Sequence, residues 1–177
     1  MHIRAPRRRA AALLGSAALA GALLAGPAHA APLDATCTGT DTTTYTPGLT
    51  NTPQSVTIAG TISLTCLSLS RPAITAGTIT GGGTAPDLTC AVLEQPSSGS
   101  STVAWNDGTH SAYTYSTALG PGAAGTQVLT LTGTVTSGTF AGDSLVITVV
   151  FANADLTACD NPGGLTSRSG PATLLAT

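Results

Sequence analysis

Apolar and polar positions alternate along much of the chain. In Ser55–Cys66, Val56, Ile58, Gly60, Ile62, Leu64 and Cys66 share one phase, while Thr57, Ala59, Thr61, Ser63 and Thr65 take the other. A period of two is the mark of a strand with one buried face, and helical spacing would scatter the same residues around a cylinder. Cys66 therefore points inward. The same reading predicts strands at Thr38–Thr46, near Ala73–Thr80, at Asp87–Val92 (with Leu88, Cys90 and Val92 in phase), Thr102–Trp105, Thr109–Thr117, Gln127–Thr136, Phe140–Phe151 and near Ala172–Ala176. Leu145–Phe151 is apolar at every residue except Thr148, which reads as a strand buried on both faces.

Turn residues separate these runs: Pro47-Gly48, Gly81–Gly83, Asn106-Asp107-Gly108, Gly120-Pro121-Gly122, Ser137-Gly138 and Asn161–Gly164. Asp107-Gly108 is the sharpest hairpin signal, because a tight turn needs positive φ. Thr, Ala, Gly, Ser and Leu dominate residues 31–177, helix formers such as Lys, Gln and Met are scarce or missing, and β-branched residues such as Thr and Val fit a pleated surface. The expected fold is all-β: a single antiparallel β-sandwich, Ig-like or similar, of about 8–9 strands, with a barrel as the less favoured closure.

The front end is different. Arg4, Arg7, Arg8 and Arg9 precede an uncharged run from Ala10 to Gly26, followed by Ala28-His29-Ala30. A charged segment, an apolar segment and a small-x-small site read as a secretory signal peptide over residues 1–30, leaving 31–177 as one disulfide-braced domain, released to the exterior. The apolar run is too short and Ala/Gly-rich for a membrane span, and none of spanning length follows it. The 31–177 segment carries Arg71 and Arg168, no lysine, and eight acids, for a formal charge of −6. That balance argues against a nucleic-acid partner, whose phosphates need many cations.

Cys37, Cys66, Cys90 and Cys159 all lie after the signal. An even count in an exported chain reads as two disulfides, and the wide spacing lacks the close pairs of a metal site. Pairing 66–90 with 37–159 is slightly preferred over 37–66 with 90–159. In the latter, Cys37 and Cys66 would face each other across a first hairpin.

Candidate chemistry is sparse. His110, with Asp107 and Ser111, invites a Ser-His-Asp reading, but neighbours along one strand rarely build that geometry, and no Gly-x-Ser-x-Gly elbow is present. Glu94 is the only glutamate, so a glycosidase-like carboxylate pair finds little support. Asp155, Asp160 and Asn161 surround Cys159 and could supply calcium oxygens, with turn chemistry the simpler reading. Gly81–Gly83 lacks the helix and the Lys of a phosphate loop. Trp105 reads as core. Tyr113 and Tyr115, in phase on the next strand, are the candidate binding patch, with Trp105 and Tyr45 as further aromatics of a surface platform for sugars or small aromatics.

Cys37-Thr-Gly-Thr40, Pro47-Gly-Leu-Thr50, Trp105-Asn-Asp-Gly108, the run Gly133–Asp143, Pro162-Gly-Gly164 and Ser169–Thr173 together resemble a group of small secreted, Thr/Gly-rich β-proteins of actinobacteria of unknown function. The resemblance implies a fold and a habitat and no active residues. Enediyne-carrying chromoproteins and secreted subtilisin inhibitors share the composition but space their cysteines differently. The expectation is a secreted, non-catalytic extracellular module, binding or structural, with no cofactor or metal and with an extracellular polymer, surface or protein as partner. The alternatives are a carrier of a small apolar ligand and an enzyme inhibitor presenting a loop at Glu94–Ser101.

Overall fold

A computed structural model describes residues 33–123, 125–152 and 154–177, without the side chains of Glu94, Ala154 and Asp155. The expected signal peptide and its cleavage site lie outside the described residues. Eight antiparallel strands follow one another in chain order: β1 (Ala35–Leu49), β2 (Gln54–Ser68), β3 (Ala76–Leu88), β4 (Ser98–Trp105), β5 (His110–Pro121), β6 (Thr126–Gly138), β7 (Ser144–Ala152) and β8 (Leu165–Ala176). Each pairs with the next, and β8 returns to pair with β1 from Ala35–Ala176 to Thr44–Ser167.

The sheet is therefore a closed up-and-down barrel, which corrects the expected sandwich. Both architectures bury alternate residues, so alternation cannot separate them. The closure is written in inward-facing glycines. A Cβ on Gly39 would overlap the carbonyl oxygen of Ser63, on Gly133 that of Thr114, and on Gly170 that of Val150. At these points one strand presses against its neighbour with no room for a side chain, which lets the sheet coil tightly. In a sequence such glycines look like breaks.

The outer wall is hydroxyl-rich. Every outward position of β1 from Thr36 to Thr46 is a threonine. Register extends this into a cross-strand row, Thr130–Thr148–Thr173–Thr38–Thr65, running over five strands. β-Branched side chains in such rows support the ladder.

Within the barrel, Cys37, Leu64, Ile74, Val103, Trp105, Val135, Ile147 and Leu174 fill one end as the main core. The Trp105 indole N–H donates to Ser111 Oγ (2.8 Å), and the Ser111 hydroxyl donates to the Thr139 carbonyl. Phe140 closes this end with its ring edge-on to Trp105 at 5.6 Å. A second cluster, Tyr45, Leu49, Val56, Leu88 and Leu165, caps the other end of β1, β2, β3 and β8. A 3₁₀ turn at Cys90–Glu94 and the short helix α1 (Ala154–Thr157) pack there.

Several sequence expectations shift. Asp87 and Leu88 end β3, and Cys90–Val92 form the 3₁₀ turn in place of a separate strand. β8 begins at Leu165, seven residues before the expected start, and β7 begins at Ser144 because Thr139–Asp143 form a turn. Leu145–Phe151 is fully buried only at alternate residues, with Val146, Thr148 and Val150 half-buried outside. The disulfides are Cys37–Cys66 and Cys90–Cys159, not the slightly preferred 66–90 with 37–159. Cys37 stands directly opposite Cys66 in the β1–β2 register, while the 3₁₀ turn carries Cys90 off the sheet towards Cys159. Two disulfides fit an oxidising compartment. No helix among the described residues is long and apolar enough to cross a membrane, which says nothing of strands.

Candidate functional site

Between the two cores the lumen is not filled. β1 sends in Asp41 and Thr43, where a regular hydrophobic strand would place apolar residues. The neighbouring β2 and β3 face the lumen there with Gly60 and Gly81, which sit directly opposite each other in the register. Two facing glycines remove two side chains from one layer, leaving a cavity of ≈150 Å³ lined by Asp41, Gly60, Ile62, Ile79, Gly81, Ser101, Tyr113, Tyr115 and Leu131.

Asp41 is buried (7 % exposed). Its Oδ1 accepts a hydrogen bond from the Thr43 hydroxyl at 3.1 Å. Burial pushes its carboxyl above the ordinary 3.8, against the opposing effects of the Thr43 bond and of Arg168. Arg168 is carried on β8 beside Thr43. It forms no ion pair with Asp41: its guanidinium lies over the Phe151 ring, 4.0 Å from the centroid. Its Nε is buried with no hydrogen-bond partner. The lumen thus holds a carboxylate and a guanidinium that are neighbours in charge but not joined.

Tyr113 and Tyr115 form the opposite wall, with ring centroids 5.9 Å apart and a 45° tilt. Burial raises the Tyr113 phenol, while a hydrogen bond with Ser101 works the other way. Tyr115 stands opposite Gly99 on β4, where a Cβ would come within 2.9 Å of the Tyr115 hydroxyl. The glycine gives the phenol room to lie across β4. The candidate patch is thus on the inner face: Tyr113 is 2 % exposed, Trp105 4 % and Tyr45 3 %. These aromatics form no surface platform. Trp105 is core, and Tyr45 belongs to the cap.

β3 and β4 pair only at Gly77–Trp105, Thr78–Ala104 and Ile79–Val103. Beyond Ile79 they part and leave a lateral slot of ≈610 Å³, bordered by Thr80, Gly81, Gly82, Ser100, Ser101, Thr102, His110 and Tyr115, with Thr78 and Ala104 at its closed end. Gly81, Ser101 and Tyr115 line both spaces, so the slot adjoins the lumen cavity. Sequence reading missed Asp41, Gly60 and Gly81. The available signal was an acid, and then glycines, at in-phase inward positions of otherwise apolar-facing strands.

The other candidates are dispersed. His110 is exposed at the slot, whereas Ser111, the next residue, points into the core. Successive strand residues face opposite sides, so this pair cannot act together. The Asp107 carboxylate accepts from Thr109 N–H and hydroxyl (2.9 and 2.7 Å), which lowers its pKa. Asp160 accepts from Asn51 Nδ2 at 2.8 Å, and the side chains of Asp155 and Glu94 lie outside the described set. Of the expected inhibitor loop, Ser98–Ser101 are strand β4, paired to β5. At the far end of the barrel Asp143 is raised by burial and then by the adjacent Asp34. No protein-family model matches the chain, and no curated protein or solved structure matches it.

Proposed function

We propose that this chain is an exported binding protein, not an enzyme, whose barrel takes a small molecule, or one group of a larger one, into the lumen through the β3–β4 slot. The observation carrying this reading is the cavity with Asp41 in its wall. A buried carboxylate lowers stability unless something compensates it, and a fold under selection for stability alone would place an apolar residue there. Eight-stranded barrels are wide enough to be filled by side chains or to hold one small ligand. Here two glycines and an acid occupy the layer that would complete the packing. Export is supported by the signal-like residues 1–30 and by both disulfides. The lumen presents one carboxylate, the Arg168 guanidinium held on Phe151 and two phenols, without an assembled nucleophile and base, which favours binding over catalysis.

The test is a screen of small neutral, anionic and cationic organic molecules by amide chemical shifts of the full protein. Binders should move Gly60, Gly81 and Ser101 together while leaving the outward Thr38 and Thr173 in place. A broad screen in which no compound moves the lumen amides would remove this reading.

A further inference from the structure

Strands β3 and β4 are both longer than the ladder that joins them. Thr80–Ala85 keeps β2 on one side and has no strand on the other, and Ser98–Thr102 keeps β5 and has none opposite. A closed barrel normally removes every edge; here two such edges face each other across the slot. Thr80–Ala85 and Ser98–Thr102 carry no charge and no proline of the kind that protects an edge from pairing; Pro86 and Asp87 follow only at the end of β3. On β3 the edge is Gly81-Gly82-Gly83, and a Cβ on Gly81 or Gly83 would meet nothing within 4 Å. Glycine weakens a strand and is tolerated where another backbone comes close. No charged residue borders the slot.

Resting on the lumen-binding reading above, we infer that the slot receives an extended, lysine-bearing peptide segment of another protein as an additional strand between β3 and β4, with the lysine in the lumen cavity beside Asp41. Two facing rows of unpaired backbone N–H and C=O groups are complementary to a polypeptide backbone, the ligand whose donors and acceptors repeat at strand spacing. Alternate side chains of the inserted strand point inward, and one of them falls between Gly81 and Ser101, which line both the slot and the lumen cavity. Ile62, Ile79 and Leu131 suit an aliphatic stem, and Asp41 suits an ammonium at its end. Arg168 does not fill that role, because its guanidinium is held on Phe151. The −6 charge of residues 31–177 favours approach of a cationic segment.

The probe is the heptapeptide acetyl-Thr-Val-Thr-Lys-Thr-Val-Thr-amide, titrated into the full protein by calorimetry and amide hydrogen exchange. Binding should slow exchange within Thr80–Ala85 and Ser98–Thr102. Replacing the central lysine by glutamate should weaken binding at least tenfold, and Asp41→Asn should shrink that difference to under twofold. N-methylation of alternate peptide amides should abolish binding. The inference is overturned if the N-methylated peptide binds as well as the parent. It is also overturned if decanoate or a neutral oligosaccharide protects the slot amides and the peptide does not. Small organic ligands that shift Gly60 and Gly81 while the peptide leaves the slot untouched would remove strand insertion and leave the lumen reading standing. Silence from both classes would remove both.

Discussion

Replacing Gly81 with valine tests the lumen directly. Gly81 faces the cavity, its φ is not positive, and a Cβ there meets nothing within 4 Å. At about 24 cal/mol per Å³, an empty space of ≈150 Å³ represents about 3.6 kcal/mol of forgone packing. Valine adds three carbons, at about 0.8 kcal/mol each when buried. It also removes a strand glycine, worth about 0.5–1 kcal/mol. Against this stand the lost rotamer freedom of valine, about 0.5 kcal/mol, and the slot adjoining the cavity, which leaves part of the new side chain wet. The net expectation is a gain of about 2 kcal/mol, seen as a rise in Tm of about 6 °C for a domain of this size. Urea denaturation gives the free energy, and xenon-induced amide shifts at Gly60 should disappear as the space fills. Thr80→Val, on the outward side of the next residue, is the control and should stay within about 0.5 kcal/mol. A destabilised Gly81→Val that still takes up xenon would refute the cavity and the binding argument built on it.

Three further outcomes follow from individual side chains. Asp41 and Asp143 have raised pKa values, so their contribution is most favourable below the ordinary 3.8 and is lost as pH rises through the folded values; Asp41→Asn should raise Tm at pH 7 and flatten this part of the Tm–pH curve, whereas Asp107, lowered by Thr109, works oppositely and loses its contribution as pH falls through its folded value. Opening Cys37–Cys66 with a Cys→Ser pair should cost about 3.6 kcal/mol and opening Cys90–Cys159 about 4.4 kcal/mol by loop-entropy arithmetic, from loops of 29 and 69 residues; urea unfolding of each double variant checks the order. Ser111→Ala strands the Trp105 indole N–H in the core and should cost about 1–3 kcal/mol, with a change in tryptophan emission as the local report.

Much of the strand set was legible in the alternation itself. The shared phase of Val56 through Cys66 and the strand at Thr38–Thr46 follow from a period of two, and the Asp107-Gly108 hairpin follows from turn chemistry. The site was less legible. Tyr113 and Tyr115 could be placed in phase with each other, but not on the concave side, because a strand's two faces carry no label of inside until the sheet closes. Asp41 stood in phase with Cys37 and Tyr45, yet an inward acid is unremarkable in a sequence, where solvent could cover either face.

The amino-acid sequence by itself determined the all-β character and most of the strands, since β-branched propensity and alternation act between neighbours along the chain. It also determined the oxidised character of the molecule, through four cysteines after an export-like leader. Only the tertiary structure decided that β8 meets β1, that Cys37 bonds Cys66, and that β3 and β4 part beyond Ile79. These are pairings between residues distant in sequence, fixed by register, by coiling at Gly39, Gly133 and Gly170, and by where a Cβ is missing. A glycine that bends a barrel, one that opens a cavity and one that ends a strand are the same letter. What distinguishes them is the carbonyl, the empty space or the solvent that the tertiary fold sets against each.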